Sequence, residues 1–401
     1  MSRRSRRVGI GTILFGMIVL VLIAAISLLA LEIGKRDSDT DPDVTTVESG
    51  TDTNPIETNG SQDPDETTDD SNKISVDFSV INEPFAGEWF QHWPAESSVE
   101  QLRDSSELMA DLIGREFGQG ALDGVTVILD PGHGGIDGGT VYPATAPHEI
   151  IEKEIVLPIS MRVKTQLEEL GAEVVMTRTT DEWYSVYYRA AKAGEVVINK
   201  LKGELSSTDK DLELLDEFQA QFDAIYNLNL DAGGGEFMGG AGTTEDARLL
   251  YDLGRQFPEI IFVSIHNNSW QDSNVGGLQV FYVDNAFQYQ FTKTQAGKGD
   301  LIPPIYQNYD AENRLRLATT LTNSILKNIP ELATVGGIET LKQDGFVVLN
   351  RTGLNSIMLE LGYVTNANDR ANLLNAGFRE RIADSITEGI YNYFCQPTNS
   401  N

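Results

Sequence analysis

Between residues 125 and 178 the chain reads strand, glycine-rich loop, helix, strand, and no other feature narrows the fold so far. VTVILD (125–130) is a short β-branched apolar run, as expected of a strand covered on both faces. PGHGGIDGGT follows as a loop. In EIIEKEIVLPISMRVKTQLEELG, Ile155, Ile159, Val163, Leu167 and Leu170 share one helical face, and Gly171 is the stop. Pro158 is tolerated in a first turn, so the helix proper is predicted to start near residues 153–155. AEVVMTR (172–178) is the second strand, and strand–helix–strand in this order is a βαβ unit with parallel pairing. IIFVSIH (260–266), GLQVFYV (277–283) and SIMLELG (356–362) read as further strands. A helix is expected over about 313–327. In a last helix, Phe378, Ile382, Ile386, Ile390 and Phe394 step by four. The predicted class is α/β, a mainly parallel twisted sheet flanked by helices.

The remainder of the chain divides by composition. MSRRSRRV carries four arginines, and residues 8–31 carry no charge. At about 1.5 Å rise per residue that run is long enough to cross a bilayer core of roughly 30 Å. A cleaved signal peptide has a shorter apolar region and a small-residue cleavage site, which SLLALEIG does not offer. Residues 1–7 are therefore read as a cytoplasmic tail and 8–34 as a transmembrane signal-anchor. By the positive-inside bias, everything after it lies outside the cell membrane. Residues 35–74 are Asp, Thr, Glu, Ser, Asn and Pro with almost no large apolar residue, and are expected to form a disordered acidic linker. Residues 75–123 read as a lead-in segment: a strand, then a helix in SSVEQLRDSSELMADLIGREF with Ser98 as cap. The main domain is expected over 124–395, with an acidic, partly glycine-rich insertion at about 192–256 on one rim of the sheet.

A formal charge of −30 disfavours nucleic acid as a partner. Cys395 is the single cysteine, so no disulfide forms within the chain, and a metal site would rely on His, Asp and Glu. The four histidines are His92, His133, His148 and His266. His133 directly follows the first strand and His266 ends another. In a parallel sheet both sit on the carboxyl rim, where α/β sheets bind ligands. A catalytic zinc takes three nitrogen or oxygen ligands and leaves a position for water. The third ligand is then a carboxylate near the same rim: Glu152, Glu149 and Glu154 all qualify, with His148 a weaker competitor. Glu360 lies in an apolar strand, where a carboxylate is costly unless paired or near a cation. It reads as a general base beside a metal-activated water, or as a surface glutamate at a strand end. The glycine loop lacks the GxGxxG spacing of a dinucleotide site.

DPGHGG (130–135), EKEIVL (152–157), SIHNN (264–268) and LELGYVTN (359–366) occur in the order of one known family. Together with TRTTD (177–181) and the last helix, they make 124–395 resemble the N-acetylmuramoyl-L-alanine amidases of the zinc-dependent amidase 3 type. The 192–256 stretch has no match in that pattern. The resemblance implies a zinc-dependent amidase/exopeptidase-like fold, with His133, Glu152 and His266 as zinc ligands and Glu360 as the catalytic glutamate. It implies peptidoglycan as substrate, cut between N-acetylmuramic acid and L-alanine, in cell wall remodelling or lysis. Three positions depart from the family pattern: Asn267 replaces an alanine, Pro158 interrupts a helix, and Asn355-Ser356 replaces a proline-containing turn. A zinc exopeptidase and an inactive wall-binding module are the alternatives. The insertion reads as a site for a regulatory partner or as a plain surface excursion.

Overall fold

A computed structural model describes residues 91–205, 211–295 and 302–397. The tail, the anchor, the acidic linker and the first part of the lead-in fall outside those residues. Among the described residues no helix is long and apolar enough to cross a membrane. In chain order the elements begin with α1 (Ser106–Leu112), β1 (Thr126–Pro131), β2 (Val141–Tyr142), β3 (Ile150–Ile151), α2 (Glu152–Glu169) and β4 (Glu173–Met176). There follow α3 (Val186–Glu204), α4 (Asp211–Leu228), α5 (Glu245–Gly254), β5 (Ile260–Asn268), β6 (Leu278–Tyr282) and α6 (Asn285–Gln295). The chain continues through α7 (Ala311–Asn328), β7 (Leu341–Gln343), β8 (Asn355–Tyr363), α8 (Ala367–Leu374) and α9 (Ala376–Cys395).

The principal sheet runs β4-β1-β5-β8-β6-β7. All pairings are parallel except β6 with β8, which run antiparallel. The central strands β1, β5 and β8 are buried almost throughout, which is why they read as continuous apolar runs. Alternate side chains serve two cores. Val127, Val263, Ile265, Ile357 and Leu359 meet α2, α7 and α9, which contribute Val163, Leu321 and Ile386. Ile128, Phe262 and Met358 meet α3, α4 and α5, which contribute Val197, Phe222 and Leu250. Fully burying one such side chain stabilises by roughly 1.5–3 kcal/mol.

Three local expectations are corrected. The lead-in helix is shorter than predicted, and Ser98 does not cap it. Instead the Ser98 backbone N–H and Oγ both donate to Asp252 Oδ2, at 2.7 and 2.6 Å. Asp252 is buried in α5 and needs those donors more than an exposed helix start does. Second, α2 begins at Glu152, so Pro158 sits inside it rather than in its first turn. Carbonyls of the glycine-rich loop cap the early start: Glu152 N–H donates to Thr140 O (3.0 Å) and Lys153 N–H to Gly138 O (3.2 Å). Third, the predicted insertion bounds cut through core helices, since α3 is already under way at residue 192 and α5 is buried. α4, the acidic helix between them, buries Leu215, Phe218, Phe222 and Ile225 in the second core. It packs against the domain through those four side chains.

Candidate metal centre

Strand β1 delivers the chain into the glycine-rich loop, and Gly132 N–H bonds Ile265 O (2.9 Å), which pins that loop to β5. His133 then takes a left-handed backbone, φ +60°, unusual for a residue with a Cβ. Two glycines are required by close approach. A Cβ on Gly132 would collide with the His266 imidazole, and one on Gly139 with the His133 ring and the Glu152 carboxylate. The early start of α2 puts the Glu152 carboxylate, fully buried, between the two rings.

His133 Nε2 lies 3.2 Å from Glu152 Oε2, and His266 Nδ1 lies 2.9 Å from Glu152 Oε1. The two ring centroids are 4.9 Å apart and nearly perpendicular. One ligating atom from each of the three residues fits within 4.8 Å of the others. Backbone amides complete the carboxylate: Asn267 N–H donates to Oε1 (2.9 Å) and Thr140 N–H to Oε2 (2.7 Å). Burial opposes ionisation of Glu152, but the bonds to His133 and His266 hold its carboxyl below the usual range. Burial likewise opposes a charge on His133, and contact with Glu152 and Asp137 outweighs it, so its pKa is raised.

The fourth residue, Glu360, faces the same centre from the middle of the sheet. Its Cα pairs with His266 on β5 and with Gln279 on β6. The side chain is buried, and its Oε2 has no hydrogen-bond partner among the described residues. Burial, then the nearby Glu152 charge, pushes its pKa well above the ordinary carboxyl value. The competitors lie elsewhere in the bonding pattern. Glu149 pairs with Arg370 (3.3 Å), and His148 Nδ1 donates to Pro143 O (2.8 Å), neither in the ligand group.

Sequence reasoning missed the residues around these four. Asp137 Oδ2 accepts from His133 Nδ1 (2.7 Å), which leaves Nε2 toward Glu152 and fixes the ring. Its spacing of four from His133 in a glycine loop is the signal that could have found it. Arg178, buried within TRTTD, donates to Pro131 O (3.0 Å), Gly132 O (2.7 Å) and Lys153 O (3.3 Å), joining the His133 loop to the helix of Glu152. Asp130 accepts from Thr177 Oγ1 (2.7 Å), Ser264 Oγ (2.7 Å) and Arg189 Nη1 (2.8 Å) beneath the site. Nothing in residue spacing predicts the last two.

The family model described as N-acetylmuramoyl-L-alanine amidase matches residues 127–201 and 244–392, more than half of the chain. The chain belongs to that family. The amidase family match takes in His133, Glu152, His266 and Glu360, and leaves 202–243 unmatched. Protein YqiI of Bacillus subtilis is 24% identical over 275 residues, 69% of this chain and 87% of its own length. The probable cell wall amidase LytH of Staphylococcus epidermidis is 23% identical over 273 residues, and the chain spans 60% of LytH. Among solved structures, amidase AmiC2 of Nostoc punctiforme is 24% identical, with 67% of this chain and 96% of that one covered and a TM-score of 0.40.

Proposed function

We propose that this family member hydrolyses the amide between N-acetylmuramic acid and L-alanine of peptidoglycan, with zinc held by His133, Glu152 and His266. The observation that carries the reading is the convergence of two imidazoles and a buried carboxylate beside a second buried carboxylate oxygen that has no donor among the described residues. Two nitrogens and one oxygen are the donor set of a hydrolytic zinc centre. When bound, zinc supplies Lewis-acid polarisation of the carbonyl and lowers the pKa of water. Glu360 serves as general base and then general acid. Its Oε2, which accepts from no donor among the described residues, is open to take a proton from the attacking water, and the burial that raises its pKa favours holding that proton until it passes to the leaving amine. Asp137 holds the His133 tautomer, and the Asn267 and Thr140 amides keep Glu152 ionised and oriented.

Residues 8–34 are read as a single-pass anchor that holds this domain on the outer side of the cell membrane, with 35–74 as tether. The uncharged run behind four arginines supports it. The substrate of a wall amidase is found on that side.

The test is digestion of purified peptidoglycan by the full chain, with and without a chelator, read by mass analysis of the products. Free stem peptides beginning at L-alanine are expected, and only when metal is present. Products cut between amino acids would instead favour an exopeptidase. Zinc binding without any product would favour an inactive wall-binding module.

A further inference from the structure

Part of the stretch that the family model leaves unmatched, 202–243, bonds to a loop next to the site. Asn229 follows α4 and, like His133, holds a positive φ (+40°) without being glycine. Its side chain makes two bonds to a loop that belongs to the matched part of the chain. Asn229 Oδ1 accepts from Ser185 N–H (2.9 Å), and Nδ2 donates to Trp183 O (3.2 Å). Asp231 Oδ1 adds an acceptor for Val186 N–H (3.3 Å). Ser185 and Val186 begin α3, so this unmatched stretch satisfies amides that the helix itself leaves open.

The same loop lies flat on the glycines that follow His133. Asp181 Oδ1 accepts from Gly135 N–H (2.8 Å). Lys153 Nζ ties the two together, donating to Gly135 O and to Asp181 Oδ2, both at 2.7 Å. A Cβ on Gly135 would stand 2.8 Å from Trp183 N, and one on Gly134 would strike the Glu182 carbonyl. Asn229, the 181–185 loop, Gly134-Gly135 and His133 are therefore in unbroken contact. The His133 backbone is strained, and a strained conformation persists only where its surroundings hold it.

We propose that Asn229 is a positioning residue for the metal centre: it clamps the 181–185 loop against Gly134-Gly135 and so fixes the His133 imidazole. This rests on the zinc reading given above. It makes the unmatched stretch a working part of the site.

Asn229→Gly separates this role from plain bracing, because glycine keeps the positive φ without strain and removes both side-chain bonds. Zinc affinity of the full chain is measured by competition with a chromophoric chelator, alongside kcat and KM. Expected for Asn229→Gly is a metal affinity weakened roughly 2- to 30-fold, with kcat lowered and KM unchanged. Asn229→Asp keeps the acceptor for Ser185 and loses only the bond to Trp183, so it is expected to fall between. Wild-type affinity and kcat in Asn229→Gly overturn the proposal, as does a change confined to melting temperature. If Asn229→Gly does not fold, wild-type affinity in Asn229→Asp overturns it. A wild-type protein that binds no zinc defeats the reading of the centre itself; a wild type that binds zinc no better than Asn229→Gly defeats this inference alone.

Discussion

Two carboxylates 208 positions apart do opposite work because their surroundings differ, Glu152 and Glu360. Glu152 is surrounded by donors and stays ionised; Glu360 has an oxygen without one, and burial beside the Glu152 charge pushes its pKa well above the ordinary value. Replacing Glu360 with Gln is expected to abolish peptidoglycan cleavage while zinc content, measured by elemental analysis, stays at the wild-type level. Wild-type turnover in that variant removes Glu360 from the mechanism. Asp137→Ala frees the His133 ring, and metal affinity in chelator competition is expected to drop about 10- to 100-fold. Asp130 offers a pH test. Burial raises its pKa, but Arg189, His266, Ser264 and Thr177 together hold it below the ordinary value. A carboxyl depressed in the folded state stabilises above its unfolded pKa of about 3.9, and that stabilisation is lost as pH falls through the folded value. Asp130→Asn leaves Arg189 buried without its charge partner and is expected to cost roughly 3–5 kcal/mol near neutrality. Below about pH 4 the variant's loss of stability, followed by denaturant titration, should be shallower than that of the wild type.

At the scale of elements, the sequence was legible where burial imposes a pattern. β1, β5 and β8 are covered on both faces, so their apolar runs announced them, and their carboxyl ends located His133 and His266. The signal failed where structure is set by partners distant in sequence. Ser98 looks like a helix cap, but the donors that Asp252 requires claim it. The direction of β6 does not follow from its own residues, which suit either pairing. Glu152 could be told from Glu149 and Glu154 only through family resemblance, because the helix start depends on loop carbonyls that no spacing rule describes. Pro158 is a case where local preference loses. It is exposed within α2, where a proline removes a hydrogen bond and crowds the preceding turn. Pro158→Ala is expected to stabilise the domain by roughly 1–3 kcal/mol, read as a higher denaturation midpoint with unchanged activity. A lower midpoint would mean that the proline has a packing role.

For the whole molecule, the N-terminal stretches and the metal centre occupy different parts of the chain. The acidic stretch 35–74 and the arginine-led run before it lie outside the residues that build the centre. If the anchor reading holds, deleting 1–34 should move the protein from the membrane fraction to the soluble fraction while hydrolysis of isolated peptidoglycan persists. A truncated chain still sedimenting with membranes would contradict that reading. The helices that cover the sheet also include one outside the family match, and α4 supplies side chains as deeply buried as any in that layer. Phe222→Ala is therefore expected to cost about 3–5 kcal/mol, a core-sized penalty that denaturant melts can measure.

The bond between His266 and Glu152 joins residues 114 positions apart, and β5 lies between β1 and β8 in the sheet. During synthesis, the third ligand leaves the ribosome only after two-thirds of the chain, and the base later still. No early fragment contains a complete centre. On the zinc reading proposed above, metal uptake is thus a late event that reports a finished topology, and a chain that stops short of β5 lacks a ligand.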